Sequence, residues 1–186
     1  MGGKNELIFV NDGSTDASMN ILEVIAQQNK NVRVISFSRN FGHEAAMIAG
    51  IDHAAGDVII CMDADLQHPL ECIAPIMAKF EEGYEVISMV RTSNKSAGAI
   101  KNFTSRAFYR VINALSDQVK LEENASDFFA ISSRVADVLR TNYREKTRFL
   151  RGYVQSVGFR KTTLEYTAAE RAGGASHYTL RKQNEC

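Results

Sequence analysis

The sequence predicts an α/β fold, a mainly parallel sheet flanked by helices, built as one domain over residues 1–186. Short apolar runs alternate with stretches of helical spacing. The segments between them are rich in Gly, Asp, Asn and Ser, the residues that turn a chain. With 45% hydrophobic residues, two prolines and no low-complexity tract, 186 residues can bury a core of ordinary domain size. Strands that alternate with helices in this way call for parallel pairing through right-handed crossovers.

The elements follow in order. LIFV (7–10) reads as a strand ended by NDGSTD, and residues 16–28 place Ile21, Leu22, Val24 and Ile25 at helical spacing. VRVISF (32–37) leads through SRNFG into the Ala-rich stretch 43–55, and DVIICM (57–62) leads through DADLQHP into a helix over 70–82. YEVISMV (84–90) is a fourth strand. Residues 98–116 form an amphipathic helix with Ile100, Phe103, Ala107, Val111 and Leu115 on one stripe, beside Lys101, Arg106 and Arg110. SDFFAIS (126–132) reads as a strand, 133–142 as a helix, 148–158 as a helix ended by glycine, and 159–167 as a strand. RAGGASHY (171–178) is a glycine-rich loop. Ligands of such sheets bind at the carboxyl ends of the strands. NDGSTD, SRNFG and DADLQ all follow strands, so one edge of the fold should carry all three.

The formal charge of zero conceals an asymmetry. Residues 1–90 hold five basic and thirteen acidic side chains, and residues 91–186 hold seventeen and nine. This argues against a nucleic-acid binder and divides the chain into a half suited to cations and a half suited to anions. No run reaches the roughly 18–20 apolar residues of a membrane-spanning helix, and MGGKNELIFV lacks the core of a signal peptide. Cys61, Cys72 and Cys186 have no paired spacing, which points away from a disulfide framework or zinc site and towards a reducing setting.

Asp63 and Asp65 stand one residue apart just past a buried strand. Two hard oxygen ligands on a short loop suit Mg²⁺ or Mn²⁺, which would bridge the phosphates of a nucleotide, and Gln67 can add a neutral oxygen. A plain acidic turn would use the same residues; the strand before and the helix after favour the metal loop. In NDGSTD, Asp12 can accept hydrogen bonds from a base or ribose, while Gly13 and Ser14 let backbone approach a ligand. The alternative is a turn followed by ordinary helix-starting residues. His43, His53 and His68 lie in helix and loop contexts that tolerate histidine without a ligand role.

NDGSTD and DADLQHPLE, about fifty residues apart with one strand–helix unit between them, together resemble the family-2 glycosyltransferases. The resemblance is closest to the polyprenyl-phosphate branch, which includes dolichol-phosphate mannosyltransferase and bacterial undecaprenyl-phosphate glycosyltransferases. SRNFGHEAAMIAGIDHAAGDVIICMDADLQHPLE (38–71) carries it most specifically, and SDFFAISSRV (126–135), RFLRGYVQSVGF (148–159) and RAGGASHY agree in order. The resemblance implies a Rossmann-like GT-A fold with a nucleotide and metal half (1–90) and an acceptor half (91–186). It implies a UDP- or GDP-sugar donor, a polyprenyl phosphate acceptor and a metal-dependent inverting transfer at the cytoplasmic face of the cell membrane, and it is compatible with a homo-oligomer.

By the same resemblance, Asp12 and Ser14 would bind the nucleoside side of the donor. Asp63 would sit between nucleotide and metal, with Asp65 and Gln67 as metal ligands. Arg171, Ser176 and His177 would close over the donor diphosphate. Arg91 and Arg106 would bind acceptor phosphate, and Asp127 would stand near the acceptor. Two alternatives remain at this stage: a saccharide hydroxyl as acceptor, with Asp127 as general base, and a non-catalytic nucleotide-binding module.

The chain departs from the family pattern at three places. Asn11 replaces the first acid of the usual DDGS, and His177 follows Ser176 where the family writes lysine, so a permanent cation gives way to one that titrates near neutrality. A chain beginning KNELIFV leaves no room for the family's first strand, and none of the family's later membrane helices is present. The expectation is a catalytic-domain fragment shortened at both ends, with little transferase activity alone.

Overall fold

A computed structural model describes residues 5–92, 125–143 and 149–168. Its strands are β1 (Leu7–Asn11), β2 (Val32–Ser36), β3 (Val58–Cys61), β4 (Val86–Arg91), β5 (Ala125–Ser132) and β6 (Lys161–Tyr166). The α-helices are α1 (Ser18–Gln28), α2 (His43–His53), α3 (Ile73–Glu81), α4 (Ser133–Asn142) and α5 (Leu150–Ser156). A 3₁₀ turn, Leu70–Cys72, leads into α3. The expected helix over 98–116 and the loop 171–178 lie outside the described residues.

β1 and β2 pair in parallel as a two-stranded sheet. The other four strands are ordered β3-β5-β4-β6. β5 runs antiparallel to both neighbours, and β4 pairs in parallel with β6. β3, β4 and β6 therefore point the same way, as alternating strands and helices predict, but an antiparallel strand from the second half separates β3 from β4. Strand–helix alternation carries no sign of this insertion, because β5 reaches its place from beyond residue 124.

Period-two alternation along β5 and β4 loads both faces of the larger sheet. Phe129 and Ile131 of β5 and Val86 of β4 join Ile51, Ile59, Val135, Leu139, Leu150 and Val154 in a core beneath α2, α4 and α5. Phe128, Ala130, Ile87 and Met89 face the other way and pack with Ile76 of α3 and Tyr166. Each fully buried side chain of this size contributes about 1.5–3 kcal/mol relative to exposure. The smaller sheet is more weakly covered: α1 has no buried residue, and Ile21, Val24 and Ile25 are exposed. Instead, its partly covered face is Ser18, Met19, Leu22 and Ala26, a stripe at helical spacing.

α2 joins the two sheets, packing against both β1 and β3. At its carboxyl end Arg140 of α4 donates from Nε to the Ile51 carbonyl at 3.2 Å and from Nη2 to the Ala54 carbonyl at 2.7 Å. The Ile51 carbonyl also accepts the Ala54 N–H at 3.3 Å, so the guanidinium reinforces the closing turn of α2. The amino end of α2 starts at His43, and that end enters the site.

Candidate active site

The three loops after β1, β2 and β3 interlock, and each contact has a local cause. Asn11 is buried at the end of β1; its Oδ1 accepts the Ser14 N–H at 3.1 Å and its Nδ2 donates to Ser36 Oγ at 3.3 Å. A neutral amide supplies both the acceptor and the donor that a carboxylate lacks, so the family departure at Asn11 is built into the turn. Gly13 has φ +67°, and a Cβ there would stand 2.3 Å from the Arg39 carbonyl carbon. Glycine is therefore required for the NDGSTD and SRNFG loops to touch. The Asp12 carboxylate accepts the N–H groups of Phe41 at 2.7 Å and Gly42 at 3.0 Å. Asp12 was expected to face a nucleoside; its described partners are the backbone at the entry to α2. Ser14 is exposed beside it.

In the loop after β3, Asp65 Oδ1 accepts the Gln67 N–H at 3.0 Å, an Asx-type turn. Between them Leu66 adopts φ +64°, a left-handed conformation that leucine enters only under constraint. The Asp63 N–H donates to His68 Nδ1 at 2.9 Å. The proton of neutral His68 is thereby left on Nε2, which lies 3.8 Å from Asp63 Oδ2. His68 is buried, stacked on Phe128 with 4.7 Å between centroids and edge-on to Tyr166. Burial lowers its pKa, against the opposing charges of Asp63 and Asp65.

The antiparallel insertion of β5 completes the cluster. β3 and β5 pair in the register Val58↔Ser132 to Cys61↔Phe129. Continued two residues further, that register sets Asp63 opposite Asp127. His43, the first residue of α2, lies between them, its Nε2 3.6 Å from Asp63 Oδ1 and 3.5 Å from Asp127 Oδ2. The other oxygen of Asp127, Oδ1, accepts from Arg151 of α5 at 2.7 Å (Nη2) and 3.1 Å (Nε). Burial pushes the Asp127 carboxyl up, but hydrogen bonds from His43 and Arg151 and their charges override it and hold the group at about 2. The effect on His43 is reciprocal. Hydrogen bonding to Asp127 raises its pKa, burial opposes, and Asp63 adds to the rise. Glu44, the next residue of α2, is raised by its own burial.

The structure thus brings Asp63, Asp65, Gln67 and Asp127 to one sheet edge, with Asp12 linked to them through the entry to α2. Arg91 is exposed at the carboxyl end of β4 on the same edge. Arg106, Arg171, Ser176 and His177 lie outside the described residues. Sequence reasoning passed over His43, His68 and Arg151. His43 and His68 read as bland because the register that carries Asp127 to Asp63 is a long-range fact. Arg151 lay inside RFLRGYVQSVGF, a segment read as a helix and for its family likeness, with no site residue singled out in it.

Among the described residues no three His, Cys, Asp or Glu side chains converge as a complete metal cage. The donor set at Asp63, Asp65 and Gln67 is all oxygen. It fits a hard divalent cation held by one or two carboxylates, with its remaining positions left to phosphate and water.

Mixed sheets flanked by helices, with acidic loops at the carboxyl ends of β1 and β3, define an α/β domain of the kind that binds ligands at that edge. The chain belongs to glycosyl transferase family 2, whose sequence model matches residues 2–141. It is 42% identical over 177 residues to an uncharacterized glycosyltransferase, YkcC, of Bacillus subtilis, covering 95% of this chain and 54% of that protein. It is 37% identical over 173 residues to the bactoprenol glucosyl transferase of Shigella phage SfV, covering 93% of this chain and 56% of that one. The chain therefore spans about half the length of these curated relatives. Among solved structures it shares the fold of a mannosyltransferase, PcManGT, from Pyrobaculum calidifontis in complex with GDP-Man and Mn²⁺. The TM-score is 0.56 at 16% identity, covering 90% of this chain and 48% of that chain. Staphylococcus aureus TarS gives a TM-score of 0.57 at 16% identity, covering 88% and 50%. These likenesses agree with the GT-A fold that the sequence implied.

Proposed function

We propose that the chain is catalytic-domain sequence of an inverting, metal-dependent glycosyltransferase. It would move a sugar from a nucleotide-diphosphate sugar, UDP- or GDP-linked, to a polyprenyl phosphate. Family membership and the relatives named as bactoprenol glucosyl transferases support this reading. The observation that carries the choice of acceptor is the 37% identity to relatives named as bactoprenol glucosyl transferases, and the surroundings of Asp127 agree with it. A general base works best with a pKa near the operating pH. Asp127, held at about 2 by His43 and Arg151, is a weaker base than that role favours. A phosphate acceptor needs no base: with a second pKa of about 6 it is largely dianionic at neutral pH.

In this reading Asp63, Asp65 and Gln67 hold Mg²⁺ or Mn²⁺, which when bound neutralises charge on the donor diphosphate. Asp12 shapes the nucleoside side through the loop it holds, with Ser14 beside it, and Arg171, Ser176 and His177 close over the diphosphate. Arg91 and Arg106 bind the acceptor phosphate through charge-assisted hydrogen bonds. A phosphate oxygen forms the new bond to the anomeric carbon while the bond to the diphosphate oxygen breaks, and the leaving nucleoside diphosphate takes the electron pair. One displacement inverts the anomeric centre. The polyprenyl tail sets the reaction at the membrane surface, on its cytoplasmic face. No described helix is long and apolar enough to cross a membrane, so contact with the bilayer falls to surface groups or to sequence outside the described residues.

The test is transfer from a labelled nucleotide sugar to polyprenyl phosphate by the full-length protein. Asp127→Asn should retain activity within about tenfold, whereas Arg106→Ala should abolish it. A loss of about 10²–10⁴-fold in Asp127→Asn, the size of a general-base contribution, with unchanged donor binding, would instead assign a hydroxyl acceptor.

A further inference from the structure

The Asp63 and Asp127 carboxylates both approach one imidazole nitrogen, at 3.6 and 3.5 Å, and like charges this close repel unless a cation or donor stands between them. Here one does. We propose that His43 is a positioning residue that ties the metal-loop acid Asp63 to the acceptor-side acid Asp127, so that donor and acceptor groups are held at one fixed separation. This inference rests on the proposed transfer reaction for its catalytic meaning, and on geometry alone for the tie itself.

The geometry is an alternating chain of charge and donor. Arg151 holds Asp127 Oδ1, and His43 Nε2 stands 3.5 Å from Asp127 Oδ2 and 3.6 Å from Asp63 Oδ1. His68 Nε2 faces Asp63 Oδ2 at 3.8 Å. Each carboxylate oxygen thus has its own neighbour, and His43 is the member shared by both acids. The five side chains come from four separate places: the end of β3 and its loop (Asp63, His68), the start of α2 (His43), β5 (Asp127) and α5 (Arg151).

The position of His43 is itself determined. Gly42 takes φ +97°, and both its N–H and that of Phe41 are held by the Asp12 carboxylate. Gly13, pressed on Arg39 and Asn40, keeps Asp12 in place. Asp12 therefore acts on the acid pair through His43, which gives the NDGSTD loop a function distinct from ligand contact. The bridge needs only a proton at Nε2, which glutamine can imitate with its amide and alanine cannot. His43 is 40% exposed at its side chain, so its replacement leaves the core intact.

A double-mutant cycle in the full-length protein tests the tie. His43→Ala and Asp127→Ala should each lower kcat about tenfold with little change in donor KM, as outer-shell positioning residues do. The double variant should lose about tenfold rather than a hundredfold, and His43→Gln should recover most of the activity. Multiplicative losses in the double variant, or unchanged kcat in His43→Ala, would overturn the inference. The same cycle is read in denaturation midpoints. If the wild-type protein transfers no sugar to polyprenyl phosphate, the proposed function fails, and the midpoints decide the tie: non-additive shifts uphold it and additive shifts overturn it.

Discussion

Asp127 divides its two oxygens between Arg151 and His43, and this division has a measurable consequence in acid. Its carboxyl titrates at about 2 in the fold against an ordinary 3.8. A depressed carboxyl contributes stability that is complete above its unfolded value and is lost as pH falls through the folded one. The titratable and charged groups around it include His43, Arg151, Asp63, Glu44 and His68. Stability of the wild-type protein should therefore decline between about pH 4 and pH 2 by more than that of Asp127→Asn, as seen in denaturant midpoints at stepped pH; parallel profiles would contradict the assignment. Gly13 is the second decisive residue. Gly13→Ala would drive a Cβ into the Arg39 and Asn40 backbone from a conformation alanine disfavours. It should destabilise by about 1–3 kcal/mol and weaken nucleotide binding, both visible in thermal melts with and without UDP or GDP.

At the scale of elements, α2 does more than cover a sheet face. It bridges the two sheets, its carboxyl end is capped by Arg140 and its amino end delivers His43. Arg140→Met keeps the apolar stem but leaves the Ile51 and Ala54 carbonyls without their guanidinium. The Ile51 carbonyl keeps the Ala54 N–H, so the expected loss is about 1.5–3 kcal/mol, the usual net worth of hydrogen bonds from a charged donor, measured as a lower denaturation midpoint. β5 is the other element of consequence. Period two along its length sends Phe129 and Ile131 to one core and Phe128 and Ala130 to the other. The same strand sets Asp127 beyond the end of β3, so packing and chemistry share one register.

For the whole molecule, the acidic first half and basic second half correspond to the proposed division of labour. Asp12, Asp63 and Asp65 lie in the first, and Arg91 and Arg151 belong to the second. If the oxygen donors at Asp63 and Asp65 take a divalent ion together with a nucleotide, the full-length protein should melt higher with one of UDP or GDP in the presence of Mn²⁺ than without it. Binding at a hundred times the dissociation constant adds about 2.7 kcal/mol. The absence of a metal-dependent rise with either nucleotide would argue against the transferase reading and for a non-catalytic module.

What the sequence determined by itself was local. Apolar runs of period two and stripes of period 3.6 set β1 to β6 and α1 to α5 within a few residues, because backbone geometry imprints those periods on composition. The loop motifs NDGSTD and DADLQ located the candidate acids for the same reason: they sit where strands end. Tertiary structure alone decided the antiparallel place of β5 between β3 and β4, the approach of Asp63 to Asp127, and the position of His43 between them. Asp12 is the clearest example, since its motif marked it as a candidate while only the fold showed its carboxylate accepting the Phe41 and Gly42 amides. Contacts between segments 84 residues apart, such as that of His43 with Asp127, leave no periodic trace in the chain. They exist because two sheets, one bridging helix and one inserted strand leave a single arrangement in which the core is filled and the buried polar groups are paired.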